Sequence, residues 1–139
     1  ATDHAPHTME VKNQNYFSAP SGGPLVQHAL LAMLELYHHQ KISLEKIVEK
    51  MSHKPALCFK IKERGFIREG SFADLVLINL NSSSMVDKKN ILYKCGWSPF
   101  EGFTFHSKIE KTFVNGNMVY NNGSFNEIVG GQRLTFNNE

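Results

Sequence analysis

The 139 residues suffice for one domain with a packed core, and 41% apolar with 20% charged residues is an ordinary balance for a soluble chain. The net charge is +2, from 15 Lys and Arg scattered among 13 Asp and Glu, which leaves no electrostatic footprint for nucleic acid. No run approaches the roughly 18 apolar residues that would cross a bilayer, and the polar opening residues lack a basic and an apolar leader region, so neither membrane nor secretion is expected.

Without a secretion signal, Cys58 and Cys95 are expected as reduced thiols in a cytoplasmic protein.

Asp3, His4 and His7 crowd the first seven positions. A carboxylate can ligate Zn²⁺ or carry a proton, and an imidazole can bind metal or an anion. Spacing alone leaves open a bland tail with surface histidines. Chain ends are usually the least functional part of a domain, so a site-like cluster here predicts that further sequence belongs upstream.

Residues 8–23 read as a loop, long enough to be functional or mobile. A helix is predicted from about Pro24, since proline fits the first helical position. Val26, Ala29, Leu30, Met33 and Tyr37 supply its buried face, with His38 and His39 at a solvated C-terminal end. His28 reads as a surface or interface histidine. A second helix is predicted after the N-cap Ser43, with Ile42 and Ile47 as a hydrophobic staple. Ser52 would cap a short third helix, with Pro55 in its first turn. The lysines between 46 and 62, interleaved with Glu45, Glu49 and Glu63, read as a solvated face. His53 and His106 have no partners at ligand spacing, and Cys95 reads as a buried structural thiol.

After Gly65 the period changes. Residues 73–78 are predicted as a strand, apolar on both faces and therefore covered on both. Residues 103–105 and 108–114 alternate as strands. Asn115-Gly116 between apolar flanks predicts a type I′ hairpin, where both central residues take positive φ, and Asn121-Asn122-Gly123 marks another turn. Helices thus fill the first half and antiparallel strands the second, with no flexible linker between them.

Several segments together carry a family resemblance. Thr2-Asp3-His4-Ala5-Pro6-His7 resembles the signature after the eighth barrel strand of class I dihydroorotases, which are zinc amidohydrolases of pyrimidine synthesis. Ala19-Pro20-Ser21-Gly22 is similar to the family's substrate-loop segment. The 41–45 and 51–56 segments resemble the helices that follow, and 64–70 and 73–77 the return into a small β domain. Lys94-Cys95-Gly96-Trp97-Ser98-Pro99-Phe100-Glu101-Gly102 and Thr112-Phe113-Val114-Asn115-Gly116 resemble its last strands. The likeness covers essentially the whole chain. Its first segment and the 95–102 segment are the most specific to dihydroorotases.

This resemblance implies a metal-dependent α/β barrel with a small β-sandwich. Residues 1–60 would be the end of the (β/α)₈ catalytic barrel, and residues 61–139 part of the sandwich. The implied reaction is the reversible cyclisation of N-carbamoyl-L-aspartate to dihydroorotate. Asp3 would be a ligand of one zinc and the proton shuttle. His7 would bind the substrate carboxylate, and Ser21 and Gly22 would meet substrate through backbone groups. His4 has no implied direct role, and a structural hydrogen bond is expected of it. Trp97, Pro99 and Phe100 would pack the small domain onto the barrel.

The family's metal site also needs a His-x-His pair, a bridging acidic ligand and further histidines. No His-x-His occurs in this sequence. Barrel sites are assembled from several strand ends, and this chain would supply at most the last. It is therefore expected to need the N-terminal part of the enzyme and to be inactive alone. Uncovered sheet edges and helix faces predict self-association, with strand exchange as one form of it. Two other functions compete: a piece of a related cyclic amidase such as a hydantoinase or allantoinase, and a non-catalytic dihydroorotase-like assembly module.

Overall fold

The computed structural model describes residues 2–127 and 130–137. The first element is a single turn of helix, α1 (Met9–Lys12), inside the segment expected as loop. The principal helix, α2, runs Ala29–His38. It starts five residues later than the proline suggests. The backbone N–H groups of Leu25 and Val26 donate to His4 Nδ1 at 3.0 and 3.4 Å, and this holds 25–28 as a separate turn before the helix.

Helix α3 (Leu44–Val48) begins as expected, with Ser43 Oγ accepting from Lys46 N–H. It does not end before Ser52. A π-helical turn over Glu49–His53 carries the chain directly into α4 (Lys54–Cys58), and Ser52 caps nothing. Proline inside a helix lacks a donor and crowds the carbonyl four residues back. A widened turn just before Pro55 accommodates both effects, so the helix continues where the sequence reading breaks it.

The second half is antiparallel. Strands β1 (Leu75–Asn79), β4 (Lys108–Val114), β5 (Asn117–Asn121) and β6 (Ser124–Phe125) form one sheet in the order β1-β4-β5-β6. Strands β2 (Ser84–Met85) and β3 (Thr104–Phe105) form a second. The expected hairpin joins β4 to β5, with Asn115 at φ 52° and Gly116 at φ 80°. Its turn is anchored: Asp74 Oδ1 accepts from Asn115 N–H at 2.8 Å, and Arg64 donates to both Asp74 and Asn115. Strand β2 begins at Ser84, the last residue of the polar run Asn81-Ser82-Ser83-Ser84 that follows β1.

One core joins the two halves. Leu31 and Leu34 of α2, Ile47 of α3, Val86 and Phe105 are buried together. Ile42, Leu44, Ile78, Ile91, Phe100 and Ile109 pack around them. Strand β1 is not covered on both faces as expected, because Leu75, Val76 and Leu77 keep 38%, 44% and 49% of their surface. The described helices pack on the β2–β3 side instead. Both cysteines are free thiols; Cys58 is exposed and Cys95 half-buried.

The histidines depart most from expectation. His28 is 2% exposed. His38 is not a solvated helix end: its Nε2 lies 2.8 Å from the buried Ser107 Oγ. His106 hydrogen-bonds the buried Glu35 carboxylate of α2, through its backbone N–H at 3.1 Å and its Nδ1 at 2.7 Å. His53 stacks on Phe66 at 4.4 Å between ring centres. In each case the contact crosses from a helix to a distant segment, which periodicity does not show.

Burial pushes the Glu35 carboxyl up, but the backbone and side chain of His106, and the charge of His106 and His38, outweigh it and hold it below the usual 4.5. A carboxylate depressed in this way stabilises the fold above its unfolded value, and the contribution is lost as pH falls through the folded value. Glu35→Gln is therefore expected to cost about 2 kcal/mol at pH 7, the scale of a charge-assisted hydrogen bond. The gap to wild type should close as pH falls through the folded carboxyl value, which lies below 4.5. Urea titrations across this range check it, and a gap independent of pH would refute the assignment.

Candidate functional site

The candidate site is built on residues 3–7. Asp3 sits at φ 47° with its side chain exposed, and no other side chain among the described residues engages it. The next residues run beside the 21–23 segment in a short parallel bridge, His4 opposite Gly23, with Ala5 N–H donating to Gly23 O at 2.9 Å. Gly22 is needed here for contact as well as for its φ of 82°. A Cβ at that position would lie 2.7 Å from Ala5 Cβ. Ser21 and Gly22 are thereby held alongside Asp3, which the sequence separates by 18 residues or more.

Three further contacts fix the arrangement. His4 Nδ1 accepts the two N–H groups that open the 25–28 turn, the structural hydrogen bond expected of it. That geometry requires an unprotonated Nδ1. The Lys12 ammonium reaches back to the carbonyls of Pro20 and Gly22 at 2.7 and 3.0 Å, closing the loop from 8 to 22. Trp97 Nε1–H donates to the His7 carbonyl at 2.8 Å, and its ring lies 3.7 Å from where a Cβ on Gly23 would be. The 93–100 segment therefore buttresses the site from the β half.

His28 anchors that buttress. Its ring packs against Tyr93, Phe100 and Phe105, and its Nδ1 lies 3.2 Å from Ser98 Oγ and 3.4 Å from the Tyr93 hydroxyl. Tyr93 also accepts Gln27 N–H at 2.9 Å. Burial pushes His28 below 6.5 and pushes the Tyr93 phenol up, so both are neutral in the hub. Trp97 and Phe100 thus bridge the helical and β halves, while Pro99 is exposed. Lys12, His28, Tyr93 and Ser98 carry no sequence signal of these roles, since each acts through a contact set by tertiary structure.

What the cluster can do is limited. Asp3 offers one carboxylate. Among the described residues no three His, Cys, Asp or Glu side chains are placed to hold a metal ion. The residues present therefore do not form a metal centre by themselves. Nor, among the described residues, is any helix long and apolar enough to cross a membrane.

This fold and loop have clear relatives. The amidohydrolase family pattern matches residues 1–119, and the chain belongs to that family of hydrolases. It is 38% identical over 122 residues to a dihydroorotase of Clostridioides difficile, covering 87% of this chain and 28% of that protein. It is 33% identical over 133 residues to a dihydroorotase of Pyrococcus horikoshii, covering 96% of this chain and 30% of the relative. Among solved structures it is similar to a D-hydantoinase (dihydropyrimidinase) from Thermus sp., with TM-score 0.80, 25% identity, and coverage of 90% of this chain and 28% of that one. It is also similar to an L-hydantoinase (dihydropyrimidinase) from Arthrobacter aurescens, with TM-score 0.76, 29% identity, and coverage of 86% and 27%. The chain spans less than a third of the length of these relatives.

Proposed function

We propose that the chain is the C-terminal portion of a dihydroorotase, carrying the last barrel strand, its loop and helices in residues 1–60 and part of a small β-sandwich in residues 61–139. The observation that carries this reading is the joining of the 3–7 segment to Ser21 and Gly22 through Ala5 and Gly23, braced by Trp97 on His7. Residues from three distant stretches are held together there, and the relatives named dihydroorotase match 87% and 96% of the chain.

In the complete enzyme, zinc would supply the activated water, and Asp3 is the one donor this chain offers to it. The Asp3 carboxylate would carry a proton between that water and the ring nitrogen of dihydroorotate, in either direction of the cyclisation. His7 would pair with the carboxylate of dihydroorotate or N-carbamoyl-L-aspartate, a charge-assisted contact. Ser21 and Gly22 would present backbone groups to the ring. The remaining ligands would come from an N-terminal part, so the 139-residue chain is expected to be inactive alone.

A cyclic amidase of hydantoinase type is the second reading, favoured by the TM-score of 0.80 to the Thermus D-hydantoinase. A graft separates the two. This chain would replace the matched region of the Clostridioides difficile dihydroorotase, and the chimera would be assayed with dihydroorotate, hydantoin and dihydrouracil. Turnover of dihydroorotate, reduced about 10²–10⁴-fold by Asp3→Ala, is the expected result for a proton carrier. Turnover of hydantoin alone would favour the second reading. A folded chimera inactive on all three would favour a non-catalytic assembly module.

A further inference from the structure

The loop that leads from the 3–7 segment to Ser21 is shaped by its own hydrogen bonds. Lys12 N–H donates to Thr8 O at 3.1 Å and closes the single turn of α1, which ends on Lys12. Asn15 then turns the chain back. Its carbonyl accepts from Ser18 and Ala19 N–H at 3.0 and 2.9 Å, and its side chain accepts from Ser18 N–H at 3.1 Å. The return brings Pro20 and Gly22 to the Lys12 ammonium, which donates to both carbonyls at 2.7 and 3.0 Å. Among the described residues this ammonium pairs with no carboxylate, so its charge is not cancelled there.

The peptide bonds here are trans, so a carbonyl and the N–H of the next residue point in opposite directions. Holding the Pro20 carbonyl therefore aims the Ser21 N–H away from Lys12. Ala5 N–H engages the Gly23 carbonyl at 2.9 Å, so three of the four carbonyls from 20 to 23 are occupied. The donors are left open: Ser21 and Gly22 are both exposed, and among the described residues neither N–H meets an acceptor. A cation on a carbonyl also polarises the peptide and strengthens its N–H as a donor. We infer that Lys12 is a positioning residue that fixes the Ser21 and Gly22 backbone as donors for an anionic substrate, which rests on the proposal that these two residues meet dihydroorotate. Lys12 acts through the peptide groups it holds and touches no reacting atom.

The chimera with the Clostridioides difficile dihydroorotase tests this without requiring the 139-residue chain to fold by itself. Lys12→Met removes the charge and both hydrogen bonds and keeps the length of the side chain. It should raise the KM for dihydroorotate about 10-fold and leave kcat within about 3-fold, the pattern of lost binding geometry. Lys12→Arg keeps the charge and can still donate to two carbonyls, so it should recover most of that loss. The melting temperature of the Lys12→Met chimera should stay within about 2 °C of the unmutated one. A KM unmoved by Lys12→Met overturns the inference, as does a rise that Lys12→Arg shares in full or one that comes with early unfolding. An unmutated chimera that turns over no dihydroorotate overturns the underlying reading, and this inference with it.

Discussion

Phe105→Ala is expected to lower the unfolding free energy by about 3–5 kcal/mol, the usual cost of emptying a core aromatic site. Phe105 keeps 1% of its surface and lies at the junction of the two halves of the molecule. Its ring meets Phe100 at 5.3 Å, Phe103 at 4.9 Å and the His28 imidazole at 6.0 Å. It also packs in the cluster of Leu31, Leu34, Ile47 and Val86. Truncation would leave a void bordered by two layers that cannot both collapse into it. It would also remove one wall from the buried, neutral His28, which then hydrates more easily. For a chain of this size the change should lower the melting temperature by roughly 10–20 °C. Chemical and thermal denaturation followed by tryptophan fluorescence measure it, and a loss under about 1 kcal/mol would mean that the site is not core.

Gly65→Ala is the second large effect, expected at about 3 kcal/mol. Gly65 adopts φ 82°, where an L side chain costs roughly 1–2 kcal/mol. It also sits directly over the π turn. A Cβ would overlap Ala56 Cβ and approach the Ser52 carbonyl oxygen at 2.9 Å. Both obstacles belong to a helix segment already widened before Pro55, so neither can retreat cheaply, and overpacking adds about 1–3 kcal/mol. Gly70 provides the control. Its φ is 81°, yet a Cβ there meets nothing within 4 Å. Gly70→Ala should show the backbone cost alone, about 1–2 kcal/mol. Equal losses at 65 and 70, measured by urea denaturation, would show that the helix yields and that the clash is harmless.

What the sequence made legible was what local chemistry decides. The Ser43 cap, the Asn115-Gly116 hairpin and the long strand 108–114 follow from nearest-neighbour rules, and each stands where expected. The start of α2 was missed because an imidazole 21 residues away takes the N–H groups that a helix beginning at Pro24 would leave open. The continuous helix through Ser52 was missed because a π turn has no composition cue. Strand β2 is too short for an alternation to register. Within the candidate site, motif resemblance is what singles out Asp3, His7, Ser21 and Gly22. Of the residues that hold them, Trp97 is part of the same resemblance, while Lys12, His28 and Tyr93 act through contacts that only the fold sets. A lysine donating to two carbonyls looks in sequence like any surface lysine. A buried histidine among aromatics looks like an exposed one until the fold shows what surrounds it.

The hydrogen bond from Trp97 to the His7 carbonyl spans 90 residues of chain. During synthesis His7 is made long before its brace. At about 5–20 residues per second, the ribosome needs roughly 5–18 s to pass from one to the other. Through that interval the 3–7 segment can already lie against Gly23 and His4 can already hold the 25–28 turn, since both partners are within 22 residues. The segment is nevertheless unbraced, and the aromatic pair Tyr16 and Phe17 further along the loop is open to water. The stretch that carries the candidate chemistry is therefore made before the residue that braces it, and through that interval it is open to proteases and to wrong partners.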